Sequence, residues 1–193
     1  MESKQEYVLN RAFASTRAVL AKVGPGQLDA ATPCASWDVR ALINHFVGSA
    51  RWGAAAATGA DQAIAVEDYA AGDFLGHYDD SIEVTLAAFG SADVLEKRID
   101  LGFGVFSGLE LLHMVARDQF THGWDLARAI GHHTDLDPGL ADELLVQARV
   151  EIVDAYRGPE GQAIFGPIVE APAGACPADR LAAFLGRPIP NSR

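Results

Sequence analysis

Asp118 and His122 stand four residues apart in the stretch DQFTHGWDLARAIG, which spans residues 118–131. The stretch otherwise has the composition of a helix, and two side chains at this spacing lie on the same helix face, about one turn apart. A carboxylate and an imidazole on one face can bind a single metal ion between them. Asp118 and His122 are therefore the first candidates for a metal site.

The helix that carries this pair places it among apolar side chains. At about 100° per residue, the positions within about 80° of Asp118 on one side are Leu111, Val115, His122, Leu126 and Ala129. A carboxylate in such a column costs free energy unless a cation or hydrogen-bond donors interact with it. Asp125 lies near the other edge, so it could replace Asp118 as a ligand or accept a hydrogen bond from a ligating imidazole.

Two ligands hold an ion loosely, so a third should come from a neighbouring helix. His45 is the favoured candidate because it lies mid-helix in VRALINHFVGSARW, about 60° beyond the apolar stripe, where a bundle groove is expected. The alternative is a buried, hydrogen-bonded His45 and an Asp118 that pairs with Arg117 or Arg128. The other histidines are placed less well. His113 lies on the far side of the helix that carries Asp118, His77 lies beside acidic residues, and His132 and His133 lie in an expected loop.

Other residues give weaker signals. Cys34 precedes a helix, whose N-terminus can lower a thiol pKa, but no histidine adjoins it in the sequence, which favours an unreactive buried cysteine. Three arginines could bind a carboxylate of a cofactor or substrate, with solvated helix charges as the alternative: Arg40, Arg51 and Arg128. Three tryptophans could line a pocket, although packing anchors are the favoured role: Trp37, Trp52 and Trp124.

Helical periodicity indicates the elements that must position these residues. The four main helices are predicted over residues 7–23, from Trp37 with Ser36 as N-cap to Gly59, over residues 73–89, and from the capping box of Ser107 and Glu110 to Ile130. The segment LEKRIDLGFGVFSG predicts a short extended or hairpin-like excursion before the fourth helix. Two further helices are predicted over residues 138–156 and 177–185. The sequence therefore predicts an all-α fold, an antiparallel four-helix bundle with C-terminal helices packed outside it.

Charge and composition exclude several classes of function. The formal charge of -11, from 15 Lys and Arg against 26 Asp and Glu, disfavours binding to nucleic acid or to an anionic membrane. Residues 1–30 contain no apolar run of the length a signal peptide needs, and no segment approaches a membrane span. Because Cys34 and Cys176 are far apart and form no CxxC pair, both are expected to be reduced, in a cytoplasmic protein.

Two motifs carry a resemblance to a known family. TPCASWDVRALINHFVG at residues 32–48 and DQFTHGWDLARAIG at residues 118–131 resemble the mycothiol-dependent maleylpyruvate isomerase family, specifically its actinobacterial branch of stand-alone metal-binding proteins within the DinB-like bundles. The likeness extends through LDPGLADELL and the DRLAAFLGR ending, over essentially the whole chain. It implies a DinB-like four-helix bundle, with residues 1–135 as the metal-binding bundle and residues 136–193 as C-terminal helices packed on it.

The resemblance also implies a set of metal ligands. In the family, one histidine comes from the second helix, and an acidic residue and a histidine four apart come from a later helix; these match His45, Asp118 and His122. Isomerase members typically carry Glu at the acidic position, so here the ion must lie closer to this helix or bind through a water. The isomerase also has a further substantial domain that helps form its active site, whereas only residues 136–193 follow here.

These ligands imply a function. Two histidines and one aspartate leave a position open for a water or a thiol, as in catalytic zinc sites. The expected metal is Zn²⁺, with Ni, Fe or Mn as alternatives, and it would lower the pKa of a bound thiol. The resemblance thus implies a metal-dependent thiol transferase or isomerase with mycothiol as cosubstrate and an electrophilic substrate. The alternatives are a non-catalytic metal-binding or interaction bundle and a purely structural protein; an exposed helix face could also pair two subunits in a homodimer.

Overall fold

The computed structural model of the protein describes residues 4–61, 67–159 and 162–189. In chain order, the elements are α1 (Lys4–Leu20), α2 (Val39–Thr58), α3 (Phe74–Phe89), α4 (Ala92–Glu96), β1 (Arg98–Asp100), β2 (Val105–Ser107), α5 (Gly108–Ala129), α6 (Pro138–Glu151), a 3-10 turn (Asp154–Tyr156) and α7 (Pro177–Phe184). Four helices form a bundle in which α1 and α2 each contact both α3 and α5. The pair α6 and α7 packs against α5, so α5 lies at the centre of the molecule.

The predicted all-α fold and four-helix bundle are confirmed. The excursion predicted before the fourth bundle helix is an antiparallel hairpin of β1 and β2, with Ile99 opposite Phe106. The predicted capping box starts α5: Ser107 Oγ accepts the Glu110 N–H, and the Glu110 carboxylate accepts the Ser107 N–H at 2.6 Å. Within the described ranges, no helix combines the length and apolar composition that a membrane crossing requires.

Several helix boundaries differ from the prediction. Asp38, not Ser36, is the N-cap of α2, because its carboxylate accepts the N–H of Ala41 at 2.8 Å and satisfies a free donor of the first turn. α6 ends at Glu151, and the 3-10 turn that follows it occupies residues that the prediction gave to the helix. The short α4 was not predicted, since five residues are too few for a helical period to show. The division of the chain at residue 135 stays a prediction.

Two glycines let α5 approach its neighbours closely enough to fix its orientation. A Cβ on Gly123 would lie 2.4 Å from Thr16 Oγ1 on α1, and one on Gly53 of α2 would lie 2.6 Å from Val115 Cγ2 on α5. Neither distance is compatible with a side chain larger than hydrogen. The Thr16 hydroxyl also donates to the backbone oxygen of Gln119 at 2.7 Å. α5 is therefore held between α1 and α2, which sets the direction of its remaining face.

Candidate metal centre

The structure brings the three predicted ligands together where α2 faces α5. His45 Nε2 lies 3.1 Å from each carboxylate oxygen of Asp118, and His122 Nε2 lies 3.4 Å from Asp118 Oδ1. One ligand atom from each residue lies within 4.8 Å of the other two. His45 stands off the apolar stripe of α2 because this flank of the helix lines a cavity rather than the core.

A chain of hydrogen bonds connects the bundle core to the Asp118 carboxylate. The Tyr78 hydroxyl donates to Gln119 Oε1 at 2.7 Å, and Gln119 Nε2 donates to Ser49 Oγ at 2.9 Å and to the Phe46 oxygen at 3.1 Å. Ser49 Oγ in turn donates to Asp118 Oδ2 at 2.9 Å. Each polar atom in this chain has a partner, so the chain holds the carboxylate in one orientation.

A second carboxylate orients the imidazole of His122. Asp125 is fully buried, and its Oδ2 lies 2.8 Å from His122 Nδ1, the hydrogen bond to an imidazole that the sequence suggested for it. Burial would raise the pKa of Asp125, but the positive charge of Arg187 and the hydrogen bonds of Arg187 and His122 lower it to about 2. Arg187 Nη2 donates to Asp125 Oδ2 at 3.0 Å. Asp125 is therefore ionised at neutral pH and accepts a hydrogen bond from the Nδ1–H of His122.

This donor set fits a divalent cation. When Nδ1 of His122 donates to Asp125, its Nε2 carries a lone pair directed at Asp118, and two acceptors repel unless a proton or cation lies between them. Ligands about 2.0–2.2 Å from a tetrahedral metal lie about 3.4 Å apart. The separations from Asp118 to the two imidazole nitrogens are 3.1 and 3.4 Å. The nitrogens and the carboxylate oxygen thus have the spacing and the chemistry of a metal site.

Asp118 and His122 strongly shift each other's pKa values. Burial would raise the pKa of Asp118, but the charges of His45 and His122 and their hydrogen bonds hold it well below its ordinary value. Burial would lower the pKa of His122, but the charge of Asp118, hydrogen bonds that the imidazole donates to Asp118 and Asp125, and its contact with Cys34 hold it well above its ordinary value. A proton and a divalent cation therefore compete for the same place between Asp118 and His122.

Cys34 lies at the same site, although the sequence favoured an unreactive buried cysteine. Its Sγ donates to Asp125 Oδ2 at 3.3 Å and lies 3.9 Å from His122 Nδ1. Cys34, His122 and Asp125 form a second group whose ligand atoms lie within 4.8 Å of one another. However, Arg187 Nη2 lies 3.8 Å from the sulfur and 3.0 Å from Asp125 Oδ2, so a fixed positive charge already occupies this side. The side of His45 is therefore the better place for a cation.

The predicted substrate-binding arginines lie elsewhere. Their partners are Asp68 for Arg40, at 2.8 Å, the ring of Tyr69 for Arg51 and the ring of Trp124 for Arg128. None of the three lines the cavity. The guanidinium beside the candidate ligands belongs to Arg187, which follows α7 and which the sequence did not single out. Arg187 and Cys34 are separated by 153 residues, so no local pattern could have joined them.

A cavity of about 1190 Å³ opens onto the candidate ligands. Pockets that bind small molecules typically enclose roughly 300–1,000 Å³, so the space suffices for a substrate with a second small molecule. Trp37 packs against both imidazoles, with ring centroids 4.6 Å from His45 and 5.3 Å from His122. Trp37 and Trp52 line the cavity, whereas Trp124 is buried and donates to Asp179 at 2.8 Å.

Comparison with known proteins agrees with the fold. The profile of the family described as the mycothiol maleylpyruvate isomerase N-terminal domain matches residues 9–127, which include all three candidate ligands. Uncharacterized proteins from two strains of Mycobacterium tuberculosis, CDC 1551 / Oshkosh and H37Rv, are each 35% identical over 184 residues, covering 93% of this chain and 95% of the relative. No solved structure matches the chain.

Proposed function

The chain belongs to the mycothiol maleylpyruvate isomerase N-terminal domain family, and on that premise we propose that it is a metal-dependent thiol transferase or isomerase with mycothiol as cosubstrate. The observation that carries the proposal is the convergence of His45, Asp118 and His122 on a cavity that can accept a thiol and an electrophilic substrate together. Low-molecular-weight thiols are kept reduced in the cytoplasm, which is where we place the reaction.

His45 and His122 would hold the metal through Nε2, and Asp118 would hold it through a carboxylate oxygen. Two nitrogens and one oxygen favour Zn²⁺, with Ni, Fe or Mn as alternatives. A divalent cation held there supplies a positive charge that lowers the pKa of a thiol brought into the cavity.

The remaining side chains orient the ligands and exclude water. Asp125 accepts the Nδ1–H of His122, which keeps the Nε2 lone pair directed into the centre. Arg187 neutralises Asp125, so this carboxylate does not compete for the proton on Nδ1. Ser49 holds one oxygen of Asp118, leaving the other oxygen free to bind. Trp37 covers both imidazoles on one side and keeps water from that face.

The metal content of purified protein tests the first half of the proposal. We expect about one divalent ion per chain in the wild type and almost none in His45→Ala and His122→Ala, because two remaining ligands bind weakly. His132→Ala is the matched control, since His132 stacks on His133 outside the cavity and should leave the ion in place. Equal metal content in all four proteins would contradict the proposed centre.

Turnover tests the second half. Metal-loaded protein is incubated with mycothiol and an electrophilic aromatic probe, and conjugation is followed by loss of free thiol. An enzyme accelerates conjugation above the rate with free metal alone, and His122→Ala abolishes the acceleration. A wild-type protein that binds metal but never exceeds the background rate is instead a non-catalytic metal-binding bundle.

A further inference from the structure

Among the residues that the structure describes, no arginine or lysine without a carboxylate partner lines the cavity beyond the candidate ligands. Two arginines among the described residues line it, Arg117 and Arg187. Arg117 Nη1 donates to Glu151 Oε2 at 2.6 Å, and Arg187 is paired with Asp125. Both guanidinium groups therefore already have carboxylate partners, and an anionic ligand would have to share a guanidinium with Glu151 or Asp125.

The acidic groups in the wall reinforce this charge pattern. Glu110, Asp118 and Glu151 all line the cavity, so ionised carboxylates outnumber guanidinium groups there. The Glu110 carboxylate accepts hydrogen bonds from the N–H and hydroxyl of Ser107, at 2.6 and 2.8 Å. Rotating it away from the cavity would break both bonds. A carboxylate or phosphate on a ligand would meet repulsion here and gain no new ion pair.

Most of the rest of the wall is apolar, although the polar side chains of Ser36, Asn44, Ser49 and Thr121 also line it. The half-buried apolar side chains of the lining include Trp52, Phe106 and Met114, and the exposed ones include Phe103, Val150 and Ile164. These last three are 58%, 79% and 64% exposed, respectively. Exposed apolar side chains are ordinary when scattered, but here they adjoin one cavity and extend its inner wall. A ligand that covers them gains the burial of this surface.

We propose that this part of the cavity binds a neutral, largely apolar small molecule, with an aromatic ring or branched hydrocarbon against Trp52, Phe106 and Met114 and its reactive end at the candidate metal centre. The assignment narrows the proposed function by naming the class of its electrophilic substrate, and it rests on that function for the role of the centre. The paired arginines and the largely apolar wall support a neutral compound over a dicarboxylate or a phosphate ester.

The test compares two probes that share a naphthalene ring and differ in charge, 2-naphthol and 2-naphthoate, in calorimetric titrations of the full chain at pH 7. The decisive titration uses metal-depleted protein, because a carboxylate can otherwise bind the ion itself. We expect 2-naphthol to bind at least about tenfold more tightly, since the carboxylate must lose its hydration, and Arg117, Arg187 and protonated His122 already have carboxylate partners. Equal or tighter binding of 2-naphthoate, or no binding of 2-naphthol, would overturn the proposal.

Matched variants locate the binding. Val150 and Val146 lie one turn apart on α6 and are 79% and 64% exposed, but only Val150 lines the cavity. Val150→Asp should weaken 2-naphthol binding at least about fivefold, whereas Val146→Asp should leave it unchanged. Ile164 also lines the cavity and is exposed, so Ile164→Asp should weaken 2-naphthol binding to a similar degree. Equal affinities for all these variants would show that the probe binds elsewhere and would contradict the proposal.

These titrations need neither thiol nor turnover, so the two proposals can fail separately. If 2-naphthol binds as expected but the wild type holds no metal, the proposed function fails and the apolar site stands. If metal content and thiol conjugation are as proposed while 2-naphthoate binds more tightly, the function stands and the inference on substrate class is wrong.

Discussion

Two clusters near the same cavity each combine one carboxylate with two basic side chains. One is the candidate metal centre, and the other joins Glu151 of α6 to His113 and Arg117 of α5. Glu151 Oε1 lies 2.8 Å from His113 Nδ1, and Glu151 Oε2 accepts from Arg117 at 2.6 Å. Burial would raise the pKa of Glu151, but hydrogen bonds from His113 and Arg117 and the arginine charge lower it. This cluster is neutralised by its own side chains.

Among the described residues, no such permanent cation pairs with Asp118 of the candidate metal centre, because Arg187 pairs with Asp125 instead. The guanidinium of Arg117 is charged at any accessible pH, whereas an imidazole is charged only when it binds a proton. Asp118 faces two imidazoles, so its compensation must come from a proton or from an ion. The two clusters thus differ in one basic side chain. An arginine completes an internal ion network at Glu151, whereas a second imidazole at Asp118 leaves a group that can accept a metal.

The largest expected difference between the clusters is in metal affinity. Asp118→Asn keeps the shape of the side chain but removes the ligand charge, so we expect an affinity loss of at least about 100-fold, or about 2.7 kcal/mol. Glu151→Gln is the matched change in the other cluster and should leave the affinity unaltered. Competition with a chromogenic chelator measures both. Equal losses would mean that the two clusters do not differ in the way described.

The hydrogen bond behind His122 should matter less than a ligand but remain measurable. Asp125→Asn can still fill the site, but it no longer fixes Nδ1 as the protonated nitrogen, so we expect metal affinity to fall about 10- to 100-fold. Asp179→Asn is the control, because Asp179 also accepts an N–H from an aromatic side chain of α5, that of Trp124, away from the centre. Unchanged affinity in Asp125→Asn would remove Asp125 from the metal site.

The contrast between the clusters also shows what the sequence could reveal. The capping box at Ser107 and the Asp118 and His122 pair depend on spacings of three and four residues, and such local patterns are legible in one sequence. The other partners of Asp125, behind His122, are not local. Cys34 lies in a loop without periodicity, and Arg187 lies beyond α7, so only the folded chain brings them together.

The internal ion network should also contribute to stability. Glu151→Gln leaves the buried Arg117 without a carboxylate, so we expect the free energy of unfolding at pH 7 to fall by about 1–2 kcal/mol. The folded-state pKa of Glu151 is lower than its ordinary value of 4.5. Its contribution is therefore complete above pH 4.5 and is lost as the pH falls through the folded-state pKa.

Urea unfolding at pH 7 and at pH values below 4.5 measures this effect. The difference between wild type and Glu151→Gln should narrow on acidification, and the exposed change Glu83→Gln should stay within about 0.5 kcal/mol of wild type at every pH. A difference that stays constant or grows as the pH falls would show that the ionised carboxylate is not the stabilising group.

A third ion pair, more exposed than the network at Glu151, should show the smallest effect. Arg11 of α1 pairs with Asp137, the N-cap of α6, with Nε at 2.8 Å from Oδ2, and their side chains are 24% and 28% exposed. Arg11→Gln should lower the free energy of unfolding by no more than about 1 kcal/mol, because water and salt screen the pair. This loss should nearly vanish in 1 M NaCl, where the Debye length is about 3 Å, while the loss in Glu151→Gln should persist. Lys22→Gln is the control, because it also removes a positive charge, from an exposed residue just after α1. If salt reduces both losses equally, burial does not distinguish the network at Glu151 from an ordinary surface pair.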